Sequence, residues 1–549
     1  MIEDLWYKNA VIYSLDVDTF MDLNGDGIGD FEGLASRLDY LHAMGVDTIW
    51  LAPFHPSPNK DNGYDVADYY GIDQRHGSSG NFVEFMHHAK KRGMKVIIDL
   101  VVNHTSTRHP WFQEARRNTE SKYRDWYIWS KRKPKDADKG MVFTGVQKTT
   151  WTYDKKAKAY YHHRFYSHQP DLNIDNPAVR EEIRRIMGYW LELGVAGFRV
   201  DAVPFILESQ QRPSSKKLRF DYLHEMKRFL QWRKGDAILL GEANVLPKDN
   251  IKYFGDEGEG MHIMFNFYVN QHLFYALATS DVKPLTNALN QTRIHLQGAQ
   301  WAHFLRNHDE LDIDRLKEHQ KKKVFERFGP EKNMQVYDRG IRRRLSPMLG
   351  NRQQTELAYS VMFSLPGIPV IRYGDEIGMG DDLRLRERNA VRTPMQWSAE
   401  PGGGFSKAKK LIHPVISKGT YSYEHVNVET QRRQPESLLN WMTSLIRLRQ
   451  ECQEIGWGDW QILQTNTHGV LAIHYHHEGS SLIVIHNFDE KAQEVALKIE
   501  NGRTVKLIDL MELSEDIADE KGIHRISIGA YGYRWFRAGD LSHLFKKAR

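Results

Sequence analysis

VIIDLVV (Val96–Val102) is a short, apolar, β-rich run of the kind that forms a buried strand. Two such runs precede it: AVIYSLDV from Ala10 and TIWLAPF from Thr48. Five follow it: GFRVDAV from Gly197, AILLGEA from Ala237, MHIMFNF from Met261, HFLRNHD from His303 and PVIRYGDE from Pro369. Helical patterns separate several of them. Phe82, Phe85, Met86 and Ala89 fall at i, i+3, i+4 and i+7, and Gly93 supplies the stop. Val179, Ile183, Ile186, Met187 and Trp190 form a second apolar stripe, with Asn176 and Pro177 as its start and Gly194 as its end. Eight strands alternating with helices predict a closed parallel (β/α)8 TIM barrel, an α/β fold. An open doubly wound sheet would normally have fewer strands per domain.

Two stretches break the alternation. Residues 105–170 are aromatic, basic and irregular, and predict a small subdomain inserted after strand three, over the barrel mouth. From about Ile455 the pattern changes to strands and turns (GVLAIHYHH, SLIVIHNF, GRTVKLIDL, GIHRISI), which predicts a C-terminal antiparallel β-sandwich. The expected division is therefore 1–104 for the first part of the barrel, 105–170 for the insert, 171–454 for the rest of the barrel and 455–549 for the sandwich. The polar segment Asp314–Asp338 is expected to be a helical or mobile insertion near the active-site face.

With 549 residues the chain is too long for one ordinary core. Its hydrophobic fraction of 40% and charged fraction of 27% are those of a soluble globular protein. The 14 Trp and 25 Tyr are rich enough to supply stacking faces for sugars, although most such rings are core. Net charge is +5, and acids and bases interleave. The runs Lys321–Lys323 and Arg342–Arg344 are short and are expected to be solvated faces, so no nucleic-acid partner is predicted. Cys452 is the only cysteine, which excludes an intramolecular disulfide. The first residues lack a basic-then-apolar leader pattern, and no run approaches the roughly 20 apolar residues of a membrane helix. A cytoplasmic enzyme without a membrane partner is expected, and the sequence leaves a homo-oligomer open.

Catalytic groups of such barrels sit at the carboxyl ends of strands. Polar side chains collect there: Asn103 and His104 after strand three, Asp201 on strand four, Glu242 after strand five, and Asn307, His308 and Asp309 after strand seven. A charge in an apolar strand is costly unless paired, so each acid needs a reason. Barrel-interior salt bridging would explain any one of them; three acids at three strand ends point to catalysis. Arg199 and Asp201 are two apart on one strand, so both point into the barrel, and the guanidinium is expected to keep Asp201 ionised as a nucleophile. Glu242 must stay protonated to act as an acid, and the anions at Asp201 and Asp309 are expected to raise its pKa. A retaining double displacement needs the two carboxyl groups roughly 5–5.5 Å apart.

DLVVNH (Asp99–His104), GFRVDAV (Gly197–Val203), GEAN (Gly241–Asn244) and FLRNHD (Phe304–Asp309), with QPDLN (Gln169–Asn173), resemble in order and spacing the signature segments of the α-amylase superfamily, glycoside hydrolase family 13. The resemblance implies Asp201 as nucleophile, Glu242 as general acid/base and Asp309 as transition-state stabiliser. It implies sugar contacts at Asp61, Tyr64, His104, Arg199 and His308. Within the superfamily, NGDGIGDFEGL, HRFYSHQPDLNIDNPAVRE, GIRRRLSPMLGN and YGDEIGMGDDLRLRERNAVRTPMQW are most similar to the trehalose synthase group, the maltose α-D-glucosyltransferases. That likeness adds Arg392 as a residue of a closed sugar pocket. It implies maltose and trehalose as substrates and a lid built by the insert near Trp151 and the loop near Arg392. Two departures bear on substrate preference: ESQQRPSSKKLRFDYLHEMK after strand four, and Arg372 where a tyrosine is usual. Both are expected near the substrate mouth. The runner-up activity is an α-glucosidase or α-amylase-type hydrolase. A catalytically dead binding subunit would have lost one of the three acids, and all three are present.

DLNGDGIGD places Asp22, Asn24, Asp26 and Asp30 at alternating positions, with the Ile28 carbonyl between them, an oxygen pattern suited to Ca²⁺. An Asp/Gly-rich turn without an ion is the alternative. The trehalose synthase likeness implies a second calcium site at Asn103, Asp171, Glu208 and the carbonyls of Phe205 and Ile206. No organic cofactor is expected.

Overall fold

In the computed structural model, which describes residues 3–208, 218–499, 506–512 and 514–538, eight parallel strands close into a barrel. They are β1 (Ile12–Leu15), β2 (Thr48–Leu51), β3 (Lys95–Leu100), β4 (Gly197–Val200), β5 (Ile238–Gly241), β6 (Ile263–Phe265), β7 (Gln300–Phe304) and β8 (Ile368–Arg372). Each pairs with its sequence neighbour. The ring closes where Ile12 faces Thr48 on one side and Val370 on the other. β7 begins at Gln300, earlier than the apolar run suggests, so Asn307–Asp309 lie on the loop beyond its end.

Strand alternation explains what fills the barrel. Ile12, Trp50, Ile97, Ile238, Leu240, Ile263, Phe265, Ala302, Phe304, Ile368 and Val370 form one buried cluster. Continuing each strand two residues toward its carboxyl end turns the inward positions polar: Ile97 leads to Asp99, Leu240 to Glu242 and Val370 to Arg372. The floor is therefore apolar and the rim charged.

The outer helices form as their stripes dictate. Ser79–Lys91 starts at a capping box between Ser78 and Asn81 and buries Phe82, Phe85, Met86 and Ala89. Pro177–Glu192 is capped by Asn176, which accepts from the Ala178 N–H, and buries Val179, Ile183, Ile186, Met187 and Trp190. Burial of each of these large side chains is worth about 1.5–3 kcal/mol.

The insert leaves and rejoins the barrel at one place. Thr105 N donates to Pro170 O at 3.1 Å, and His104 bridges Asp171. It contains a three-stranded antiparallel sheet (Trp129–Ser130, Ala159–His162, Trp151–Asp154). The polar segment after β7 carries the helix Glu318–Phe328. At the C-terminus a six-stranded and a two-stranded antiparallel sheet share a core of Ala472, Ile483, Ile485, Val495, Leu497 and Ile526. The six-stranded sheet is buried on its other face too: Leu482, Val484 and Trp535 join the barrel's outer core, and the Trp535 indole donates to Ser360 Oγ at 2.9 Å. Residues 209–217, within the departure noted after strand four, and residues 539–549 of the last domain lie outside the described residues.

One expectation about charge is overturned. Lys321–Lys323 is solvated, but Arg342–Arg344 is not a solvated face. Arg342 and Arg344 are buried, and Arg343 pairs with Asp381 at 2.9 Å. Arg342 donates to the carbonyls of Asn333, Leu383, Leu385 and Glu387. A guanidinium has five fixed donors, so it can pin a loop whose carbonyls lack partners.

Gly197 opens β4 with φ +152°, and a Cβ there would lie 2.3 Å from the Ile238 carbonyl oxygen of β5. Gly197→Ala is expected to destabilise the barrel by about 2–4 kcal/mol, read as a lower midpoint of denaturant unfolding.

Candidate active site

At the carboxyl end of the barrel, one side chain organises the rest. Arg199, the third residue of β4, is 1% exposed, and its Nη1 donates to Asp99 Oδ1 at 2.5 Å and Asp201 Oδ1 at 2.7 Å. Its Nη2 reaches Glu242 Oε2 at 2.7 Å. Asp99 is held from its other side by Trp50 Nε1 at 3.1 Å and the Tyr64 hydroxyl at 3.2 Å. The guanidinium also lies 5.2 Å from the Trp50 ring centre.

Backbone strain brings Asp201 and Glu242 together. Ala202 adopts φ +51°, ψ +41°, a left-handed conformation costly for a residue with a Cβ. The turn sends the Ala202 N–H to Glu242 Oε2 at 3.3 Å and the Val203 N–H to the Glu242 carbonyl at 3.1 Å. Among the described residues Asp201 Oδ2 and Glu242 Oε1 have no hydrogen-bond partner. Each acid thus has one oxygen anchored and one left for other work.

Burial shapes the protonation of both acids. Burial raises Asp201 to about 6, because Arg199 is divided among three carboxylates and Asp99 and Asp309 push the same way. Arg199 lowers Asp201 as expected and leaves it mostly ionised at neutral pH, but burial outweighs the guanidinium. Glu242 is raised to about 7, chiefly by burial and then, against Arg199, by Asp201 and Asp309. Neighbouring anions do raise Glu242, but desolvation is the larger cause.

Asp309 is the opposite case. Burial would raise it, but the guanidinium groups of Arg388 and Arg392 outweigh burial and hold it well below the carboxylate range. Its Oδ1 accepts from Arg388 Nη1 at 2.5 Å and Arg392 Nη2 at 2.8 Å. Arg388 also reaches Asp61 Oδ1 at 2.8 Å, and Gln169 holds Asp61 Oδ2 at 2.9 Å. Sequence reading missed Arg388, which stands four residues before Arg392 in the same basic stretch. Only the fold shows which of these arginines faces the cavity.

The cavity is about 290 Å³, and Asp61, Tyr64, His104, Asp201, Glu242, Asp309 and Arg388 line it. Arg199, His308 and Arg392 stand behind this lining. His308 stacks on Tyr64 with ring planes 8° apart and shares a 2.8 Å hydrogen bond with its hydroxyl. Burial lowers the His308 pKa far below its usual value, so the ring is neutral. His104 Nε2 pairs with the Tyr64 carbonyl at 3.0 Å. Phe143 and Phe165 of the insert and Arg388 of the loop after β8 form the roof. Trp151 and Arg392, expected near a lid, are both absent from this lining.

Arg372 is also not at the mouth. It is 1% exposed and pairs with Asp16 within the barrel, because strand alternation points both inward behind His308 and Arg392.

The two expected cation sites differ in charge balance. Asp22 accepts from Gly25 and Gly27 N–H, Asp26 from Ile28 N–H and Asp30 from Leu23 and Gly33 N–H. No Lys, Arg or His side chain pairs with Asp22, Asp26 or Asp30 among the described residues. Carboxylates, an amide oxygen of Asn24 and the Ile28 carbonyl are the donor types a hard cation takes. In the second set Asn103 lies 3.3 Å from Asp171, Asp171 pairs with His162 at 2.9 Å, and Glu208 pairs with Arg164. Asp171 is taken up by His162 and Glu208 by the Arg164 guanidinium, and the set as arranged does not fit a divalent ion. No three His, Cys, Asp or Glu side chains among the described residues converge as metal ligands would, so the first site relies on Asn24 and Ile28.

The model of the α-amylase catalytic domain matches residues 12–458, and that of the sucrose hydrolase-like C-terminal domain matches residues 479–537. A trehalose synthase of Thermus thermophilus is 42% identical over 97% of this chain, which spans 56% of that protein's length. A trehalose synthase of Pimelobacter sp. (strain R48) is 38% identical, covering 98% of this chain and 96% of the relative. Among solved structures, the α-amylase from H. orenii superposes with a TM-score of 0.79 at 28% identity, covering 96% of this chain and 99% of its own.

Proposed function

The chain belongs to the α-amylase family, and we propose that it is a trehalose synthase-like maltose α-D-glucosyltransferase, converting maltose to trehalose reversibly with some hydrolysis to glucose. The observation that carries this reading is the pair Asp201 and Glu242, both anchored to one guanidinium, at the wall of a cavity roofed by Phe143, Phe165 and Arg388. A cavity of about 290 Å³ is at the small end of ligand sites and suits a disaccharide better than a long chain.

The chemistry follows from which acid keeps its proton. At neutral pH Asp201, with the lower value, is mostly ionised and Glu242 is partly protonated. Glu242 gives its proton to the glycosidic oxygen of maltose. A carboxylate oxygen of Asp201 attacks the anomeric carbon, and the bond to the leaving glucose breaks. The ionised Asp309 hydrogen-bonds sugar hydroxyls and favours the distorted ring, while Asp61, Tyr64 and His104 position the same glucose. The released glucose then turns beneath the roof. Its anomeric hydroxyl attacks the glucosyl carbon as Glu242 takes the proton and the ester bond to Asp201 breaks. Two inversions give retention and an α,α-1,1 linkage. Water entering instead gives glucose, so transfer and hydrolysis differ in water exclusion rather than catalytic groups.

Calcium at Asp22, Asn24, Asp26, Asp30 and the Ile28 carbonyl would neutralise three carboxylates and stiffen the segment between β1 and the helix that Asp30 caps. No described helix is long and apolar enough to cross a membrane. A single buried cysteine, Cys452, suits a reducing compartment, and we place the enzyme in the cytoplasm.

Incubation with maltose should give mainly trehalose with a minor share of glucose, and glucose alone would overturn the transferase reading. Asp201→Asn should abolish turnover while the thermal melt stays near that of the parent. Activity should rise with pH as Asp201 loses its proton through about 6 and fall as Glu242 loses its own through about 7. A profile still climbing above the Glu242 value would refute its role as acid. Chelation should lower the melting temperature by about 3 °C or more, restored by added Ca²⁺, and Asp26→Ala should remove that response.

A further inference from the structure

Three segments far apart in sequence meet on one carboxylate above the cavity. Tyr166, from the insert, donates its hydroxyl to Glu387 Oε2 at 2.6 Å. Tyr337, from the segment after β7, donates to the same oxygen at 2.7 Å. Glu387 belongs to the loop after β8, and no Lys or Arg side chain pairs with its carboxylate among the described residues. Two phenols therefore satisfy one oxygen of an acid in a half-buried position. At 2.6 and 2.7 Å both lie at the short end of the range for O–H···O hydrogen bonds.

The contact is built at a backbone cost. Glu387 has φ +45°, Tyr337 +58° and Asp338 +57°, all left-handed without being glycine. Backbone of this kind persists where the surroundings impose it, and it gathers at clamps and switches. Here it falls on two of the three partners of one contact. The Arg342 guanidinium holds the Glu387 carbonyl at 3.0 Å, which fixes the loop from behind.

The clasp adjoins the roof directly. The Phe143 ring lies 4.5 Å from the Tyr166 ring and 4.8 Å from the Tyr337 ring. The Arg388 guanidinium lies over the Phe143 ring, 5.0 Å from its centre, and continues to Asp61 and Asp309. Phe143 and Arg388 line the cavity; Tyr166, Tyr337 and Glu387 do not.

The geometry points to Tyr166, Glu387 and Tyr337 as a clasp that keeps the roof shut during the life of the glucosyl–Asp201 ester, and so determines whether caged glucose or an outside nucleophile receives the sugar. This rests on the double-displacement reading above and adds the residues that set product partition. They are positioning residues: they act through Phe143 and Arg388, and touch no reacting atom. When the clasp opens, water or a small alcohol reaches the anomeric carbon. The oxygen of that molecule bonds to the carbon, the ester bond to Asp201 breaks, and Glu242 takes the proton.

The test uses maltose with added methanol as the outside nucleophile, and follows maltose consumed, trehalose, glucose and methyl glucoside. Tyr166→Phe/Tyr337→Phe removes two hydroxyls and keeps the stacked rings; Glu387→Ala removes the acceptor. Both should raise the methyl glucoside and hydrolysis shares roughly tenfold, with maltose consumption within about threefold of the parent. Glu387→Gln keeps an acceptor oxygen and should fall between parent and Glu387→Ala. Unchanged shares in both disruptive variants would overturn the clasp, as would a fall in maltose consumption without any change in shares. A parent enzyme that makes no trehalose would refute the transferase reading instead, and the methyl glucoside share would still report on the clasp.

Discussion

A single buried guanidinium holds three carboxylates at the rim of this barrel. Arg199 donates to Asp99, Asp201 and Glu242 at 2.5–2.7 Å with almost no exposure. A pair of opposite charges at such range is worth about 4 kcal/mol near a protein surface, while removing each ion from water costs several kcal/mol. One cation cannot repay three such costs. The deficit appears as raised pKa values at Asp99, Asp201 and Glu242. The constraint that looks like a stability problem thus prepares two acids to exchange protons near neutral pH. Asp309 escapes it because Arg388 and Arg392 serve it separately.

The same economy of arginines runs outward from the site. Arg388 joins Asp309 to Asp61 and faces Phe143, so one side chain links the catalytic floor to the roof. Arg342 staples the loop after β8 by its carbonyls, and Arg344 donates to the Tyr373 carbonyl and pairs with Asp375. The loops over the mouth are held by directional donors more than by apolar burial. Such contacts can be broken a few at a time, which suits a roof that must admit a disaccharide and then exclude water.

Much of this was legible in the chain. The apolar runs located the strands, and period-two alternation placed Arg199 and Asp201 inside the barrel. The apolar stripes and caps of Ser79–Lys91 and Pro177–Glu192 announced those helices. Less legible were the arginines. A run such as Arg342–Arg344 reads as a solvated face because no local rule says where its acceptors are; they lie in loops tens of residues away. Arg388 and Arg392 cannot be ranked by spacing, since both sit in irregular backbone without a period. Arg372 is buried because it follows Val370 by two on the same inward face of β8, a position that its departure from the family pattern does not reveal.

Sequence alone determined the barrel, the insert and the C-terminal sheets, which rest on local periodicity, while the order and spacing of the motifs singled out the three acids. Tertiary structure decided the electrostatics and the roof: that Arg199 is shared three ways, that burial rather than neighbouring charge sets Asp201 and Glu242, and that Tyr166, Tyr337 and Glu387 meet over the cavity. The physical reason is range. Hydrophobic alternation is written along the chain residue by residue, whereas desolvation and hydrogen bonding depend on groups that only the closed barrel brings within 3 Å of one another.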